Sequence, residues 1–223
     1  MSMKLYSSLT KKYIMSLAGL FLLMFLLVHL TINLLLLFDD SGGLFNVAAH
    51  FMGTNPIIQA FQWVLFGGFA IHMLIGVILQ IQNWMARPKR YNKRAISEES
   101  YFSKFMIHTG IIIFIFLVIH LTDFFVKKIG GVVPEITGGE LAGMENMGIL
   151  VVEKFKNGGY VLFYVTVFLI LGFHLDHAFQ SAFQSLGLNN NKYTPFIKWL
   201  SHFIAIVISI GFITIPVCIY FFK

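Results

Sequence analysis

The chain has 223 residues, of which 57% are hydrophobic and 12% charged, with a formal net charge of +6 and one cysteine. A soluble domain carries about 25% charged residues, so this chain lacks the polar surface to face water on all sides, and a bilayer is its expected solvent. The lone Cys218 excludes a disulfide framework, a Cys-x-x-Cys-His site for covalent haem and a cysteine cluster for iron–sulfur chemistry.

A spanning helix needs about 20 consecutive apolar residues, and five segments reach that length. The basic stretch from Met1 to Lys12 feeds into an apolar run over 13–38, with no charge before Asp39. That run is too long for a signal-peptide core and has no small-residue cleavage site, so it reads as a retained first span. The second span covers 57–84 and follows Pro56, which suits a first helical turn. The third covers 105–126. A Gly-rich loop with Glu135, Glu140, Glu145 and Glu153 leads to the fourth, 159–185, whose one charge is Asp176. The fifth covers 196–222, opening at Pro195 and with a kink expected at Pro216. The expected fold is an all-α membrane protein, one domain over 1–223, with the first four helices forming a bundle.

Positive charge is enriched on cytoplasmic loops. With the N-terminus inside, eleven basic residues fall on the cytoplasmic side: Lys4, Lys11, Lys12, Arg87, Lys89, Arg90, Lys93, Arg94, Lys104, Lys192 and Lys198. Five fall outside: Lys127, Lys128, Lys154, Lys156 and Lys223. The basic balance is therefore a topology signal rather than a nucleic-acid signal. The basic loop over 87–104 is an inner docking surface for a soluble partner.

The first and third spans echo each other at an offset of 91: Met15, Gly19, Phe25, Leu26, His29, Leu30 and Thr31 match Met106, Gly110, Phe116, Leu117, His120, Leu121 and Thr122. The two spans run in the same direction, so matched residues sit at similar depth.

Ionisable groups inside a bilayer are costly and mostly functional. His29, His72, His120 and His174 fall one to each of the first four spans. At 1.5 Å per residue from the cytoplasmic ends, His29 and His120 stand roughly 24 Å up, and His72 and His174 roughly 18 Å. Two level histidines on separate helices supply the fifth and sixth ligands of a low-spin haem. Saturated ligation suits electron transfer. Gly19 and Gly110 would let a flat ring approach the helix, although glycine in membrane helices also serves close packing. His177, one turn from His174, faces the same side and would bond a haem propionate or replace His174. His50, His108 and His202 read as solvated or interfacial. Asp176 lies roughly 200° around the helix from His174 and points to another helix.

These residues resemble the single-subunit, dihaem cytochrome b anchor of bacterial succinate:menaquinone oxidoreductase and fumarate reductase (complex II), over nearly the whole chain. The likeness rests on Gly19 through His29 to Asn33, on Asn83-Trp84-Met85-Ala86-Arg87-Pro88 with Tyr91, and most specifically on the run from His174 and His177 to Gly187, with Asn189, Lys192 and Tyr193. The resemblance implies a haem b near the cytoplasmic face on His72 and His174, and a distal haem b on His29 and His120. It implies a covalent-FAD flavoprotein and an iron–sulfur subunit docked inside, menaquinone as electron acceptor and the bacterial cytoplasmic membrane as location. In two places the chain departs from the pattern. Gln59 and Gln62 stand where some members carry an acidic residue used in quinol chemistry, and Gly172 stands where some fumarate reductases carry Glu. Both favour succinate oxidation over fumarate reduction. Asn33, Gln59 and Gln62 are the quinone-contact candidates, with His50 and Asp123 as further outer-side polar groups. The rival readings are a cytochrome b anchor of a hydrogenase or formate dehydrogenase, a transporter with histidine relays, and an anchor without redox activity.

Overall fold

A computed structural model describes residues 8–39, 42–85 and 105–223. The basic stretch over 87–104, with Arg87, Pro88 and Tyr91, and the N-terminal Lys4 lie outside the described residues. Five helices are long and apolar enough to cross a membrane. They are α1 (Ser8–Phe38), α3 (Pro56–Met85), α4 (Met106–Ile129), α6 (Gly158–Ser185) and α7 (Thr194–Phe222). Two short helices, α2 (Gly43–Thr54) and α5 (Met147–Phe155), were not foreseen. The chain is an all-α, multi-pass membrane protein whose spans lie within a few residues of the expected ones. The end where α1 finishes and α3 begins is called the outer end below.

The spans begin and end for local reasons. Pro56 opens α3 and Pro195 sits in the first turn of α7, where a missing N–H costs nothing. The Asn157 side chain accepts from Tyr160 N and caps α6. Pro216 lies buried inside a continuous α7. α4 departs from regularity immediately after His120, with a π-helical stretch at Leu121–Val126 before it closes at Ile129. Such wide turns are rare and concentrate at functional sites.

The packing is uneven. The core lies between α1, α6 and α7, where Leu36, Tyr164, Ile208 and Ile219 are at most 2% exposed. α7 buries Ile197, Ser201, Ala205, Ile208, Ser209, Phe212, Ile215 and Ile219, a stripe at three- and four-residue spacing that separates its protein face from its lipid face. Small residues let the helices close up, as in other membrane bundles. A Cβ on Gly211 would come within 2.8 Å of Leu30, and one on Gly172 would run into the Ser209 hydroxyl. That hydroxyl donates to the Phe168 carbonyl at 3.0 Å. By contrast α3 and the α-helical part of α4 contain no buried residue at all.

At the outer end, α2 and α5 are locked together through Asn46, which is 1% exposed. Its amide donates to Asn146 Oδ1 at 3.0 Å, and its Oδ1 accepts from Gly148 N at 2.8 Å. Lys223 Nζ donates to the Leu36 and Asp39 carbonyls at 2.7 and 2.9 Å, satisfying acceptors left over at the end of α1.

Candidate cofactor site: two histidine pairs

The helices bring the four intramembrane histidines together as two pairs. His29 of α1 faces His120 of α4, with ring centroids 5.8 Å apart. His72 of α3 faces His174 of α6 at 6.5 Å. The sequence-derived pairing is the one the fold makes. Depth explains it: His29 lies nine residues before Phe38 and His120 nine before Ile129, while His72 lies sixteen after Pro56 and His174 sixteen after Gly158. The outer pair is therefore about 13 Å and the inner pair about 24 Å from the outer helix ends, two levels about 10 Å apart.

The echo between the first and third spans takes on a structural meaning. Phe25 stacks on His29 at 5.3 Å, and its counterpart Phe116 stacks on His120 at 5.6 Å. Gly19 and Gly110 serve the other pair. A Cβ on Gly19 would lie 3.4 Å from His72 Cε1, and one on Gly110 would lie 3.9 Å from His174 Cε1. Each of α1 and α4 thus offers a glycine notch to the inner pair and, ten residues on, a histidine to the outer pair. The two ligand-type residues at each level come from matching positions of two halves, α1 with α3 and α4 with α6.

Hydrogen bonds fix the imidazole protons where they can be traced. Thr109 donates its one proton to the Met106 carbonyl at 3.0 Å, so at its 3.0 Å contact with His174 Nδ1 it accepts. In that arrangement His174 donates from Nδ1. On the outer pair the chain is longer. Asp123 is paired with Lys154 at 2.5 Å and accepts the hydroxyl proton of Tyr160. Tyr164 lies 3.2 Å from Tyr160 and 3.3 Å from His120 Nδ1. The carboxylate only accepts, so Tyr160 donates to it, Tyr164 donates to Tyr160, and His120 donates from Nδ1 to Tyr164. The amide of Asn33, one turn past His29, donates to the His29 carbonyl at 2.8 Å and lies 3.4 Å from both ring nitrogens. Nδ1 of His72 is buried without a hydrogen bond, although the Met15 backbone approaches the ring.

A buried imidazole nitrogen without a partner and glycine notches against both inner rings are features of a site that holds a group between paired rings. Metal–imidazole bonds of about 2 Å, with about 1 Å from nitrogen to ring centre, place two axial rings about 6 Å apart across one metal, close to both observed separations. Among the described residues no three His, Cys, Asp or Glu converge to hold a bare ion. Two histidines per level could hold a metal-bearing group that brings its other ligands itself, whereas a zinc site needs three or four protein ligands.

The remaining residues sort as follows. His177 is half-buried one turn beyond His174, which is the residue that faces His72. Asp176 does turn to another helix: it accepts from Ser201 and from Gln180 at 3.1 Å, and meets His202 Nδ1 at 2.8 Å. His108 is exposed at the inner start of α4. His50 is half-buried on α2, where it lines a cleft of about 290 Å³ with Lys128 and Glu145. Gln59 is exposed and bonds the Gly53 carbonyl at 2.7 Å, and Gln62 is half-buried on the next turn. A larger cleft of about 450 Å³ lies between α4, α5 and α6, lined by Ile119, Glu153, Lys154, Asn157, Gly159, Tyr160 and Phe163. Neither cleft is lined by Asn33, Gln59 or Gln62. Sequence reasoning missed Tyr160, Tyr164 and Thr109, which look like ordinary span residues until a neighbouring helix supplies the partner.

No family model, curated protein or solved structure matches the chain.

Proposed function

We propose that the chain is the membrane anchor and electron-transfer subunit of a bacterial succinate:quinone oxidoreductase, with haem b between His72 and His174 and a second haem b between His29 and His120. The observation that carries the haem reading is the arrangement of four intramembrane histidines as two facing pairs, each pair formed by ligands of matching depth. Bound there, the haems would supply reversible one-electron chemistry. Of the chain's own residues, His72 with His174 and His29 with His120 would hold the haems, two histidines to each. Thr109 and Tyr164 hold the protons of His174 and His120 on Nδ1, away from the iron-facing nitrogens.

The further identification, with a flavoprotein and an iron–sulfur subunit on the basic cytoplasmic face and menaquinone as acceptor, is supported by the resemblance of the α6 run His174–Gly187 and by the single cysteine, which leaves iron–sulfur chemistry to a partner. Gly172 supports the succinate-oxidising direction. It packs against Ser209 of α7, so a side chain at the position where some fumarate reductases carry Glu would displace the Ser209 hydroxyl. The cleft beside Lys154 and Tyr160 offers apolar walls and hydrogen-bond donors for a quinone head group on the outer side.

A pyridine haemochrome assay on the purified chain tests the cofactor. Two haems b per chain is the expected result, and none would send the function back to a haem-free anchor or transporter. Co-purification tests the partner: a flavoprotein is expected, and a nickel or molybdenum protein would favour a hydrogenase or formate dehydrogenase anchor.

A further inference from the structure

We infer that Tyr164 is a positioning residue for the outer histidine pair, set by a hydrogen-bonded chain that runs from His120 Nδ1 through the hydroxyls of Tyr164 and Tyr160 to the Lys154-paired carboxylate of Asp123. The inference rests on the two-haem reading above.

Four observations carry it. Tyr164 is 2% exposed, in a fully packed ring cluster with Phe116, Phe155 and Phe168, so its hydroxyl has no freedom to seek water. Its oxygen touches both His120 Nδ1 and the Tyr160 hydroxyl. The chain ends on a carboxylate whose other oxygen is held by Lys154, and an ionised carboxylate accepts only, so every proton along the chain points toward it. Asp123 is presented by the π-helical stretch that starts directly after His120, a local irregularity of the kind that marks functional sites.

The inner pair lacks this arrangement. His174 leans on Thr109, whose proton ends on the neutral Met106 carbonyl. Among the described residues the carboxylate at the inner end, Asp176, is committed to Ser201, Gln180 and His202. Among the described residues the acidic chain therefore acts on one level only. A ligand imidazole that donates from Nδ1 into a chain ending on an anion carries more negative charge on Nε2 and favours ferric over ferrous iron. Tyr164 thus sets both the orientation and the basicity of the outer ligand.

The test is an optical redox titration with parallel electron paramagnetic resonance, on the haem-loaded full chain in its membrane. The haem lost in His29→Ala identifies the outer one. Tyr164→Phe keeps the ring and removes the hydroxyl. The expected result is the parent's haem content, a positive shift of the outer midpoint, a changed low-spin signal for that haem and an unmoved inner haem. Tyr160→Phe and Asp123→Asn shift the same haem in the same direction by successively smaller amounts. If Tyr164→Phe does not accumulate, these two variants decide on the same readouts. Two haems with an unmoved outer midpoint and signal overturn the inference and leave the haem reading intact. Equal shifts of both haems also overturn it, since they report a general change of packing. A parent chain without haem removes the reading and the inference together.

Discussion

The two histidine pairs have the same parts in different surroundings. The inner pair is shaped by absence: Gly19 and Gly110 leave notches against its rings, Nδ1 of His72 has no partner, and the proton of His174 passes only to a threonine and a backbone carbonyl. The outer pair is shaped by contact, with stacked Phe25 and Phe116, Asn33 against His29 and a tyrosine chain grounded on Asp123 and Lys154. One duplicated histidine pattern is thus surrounded at one level by glycine notches and at the other by hydrogen bonds.

The largest expected effects break the pairs themselves. Under the haem reading, His72→Ala or His174→Ala should remove the inner haem, and His29→Ala or His120→Ala the outer one, each taking the haemochrome content from two per chain to one. Equal content in all four variants would break the ligand assignment. Next in size, Gly19→Leu fills the notch against His72 and should deplete the inner haem while sparing the outer, although α1 carries an outer ligand. Loss of the outer haem in that variant would overturn the glycine assignment. Lys154→Met leaves Asp123 without its ion pair and should cost about 1 kcal/mol, the upper range for a partly exposed pair, read as a fall in thermal midpoint with both haems kept. The smallest effect is that of Thr109→Val, which removes the contacts of its hydroxyl with the Met106 carbonyl and His174 Nδ1. It should shift the inner midpoint alone, positive like Tyr164→Phe but by less, because its chain ends on a neutral carbonyl.

Most of the fold was legible in the sequence because a membrane leaves little choice: a long apolar run must be a helix to satisfy its backbone. The pairing was legible for a related reason, since depth along a helix is linear in residue number. What stayed hidden depended on rotation and on neighbours. The periodicity of α2 was lost in a short polar-flanked stretch, and nothing in Leu121–Val126 announces a π turn. Gly19 and Gly110 read as serving a ring, but which ring required the packing angle of α1 on α3 and α4 on α6. The face of α7 was unreadable because apolar residues surround it, and only the neighbouring helices distinguish Ile208 from Ile206. Asp176 was the exception, placed on the far side of its helix by arithmetic alone and found there against Ser201 and His202.

The bare flanks of α3 and α4 bear on how such a chain is made. The fully buried side chains lie mainly on α1, α6 and α7, whereas α3 and the α-helical part of α4, which contain none, carry one histidine of each pair. The α1–α6–α7 core is closed by fully buried side chains, while the other two spans rest on it through half-buried ones. Under the haem reading, arrival of the cofactor is then the event that clasps them, so completeness of loading and completeness of folding become the same signal to a protease patrolling the membrane.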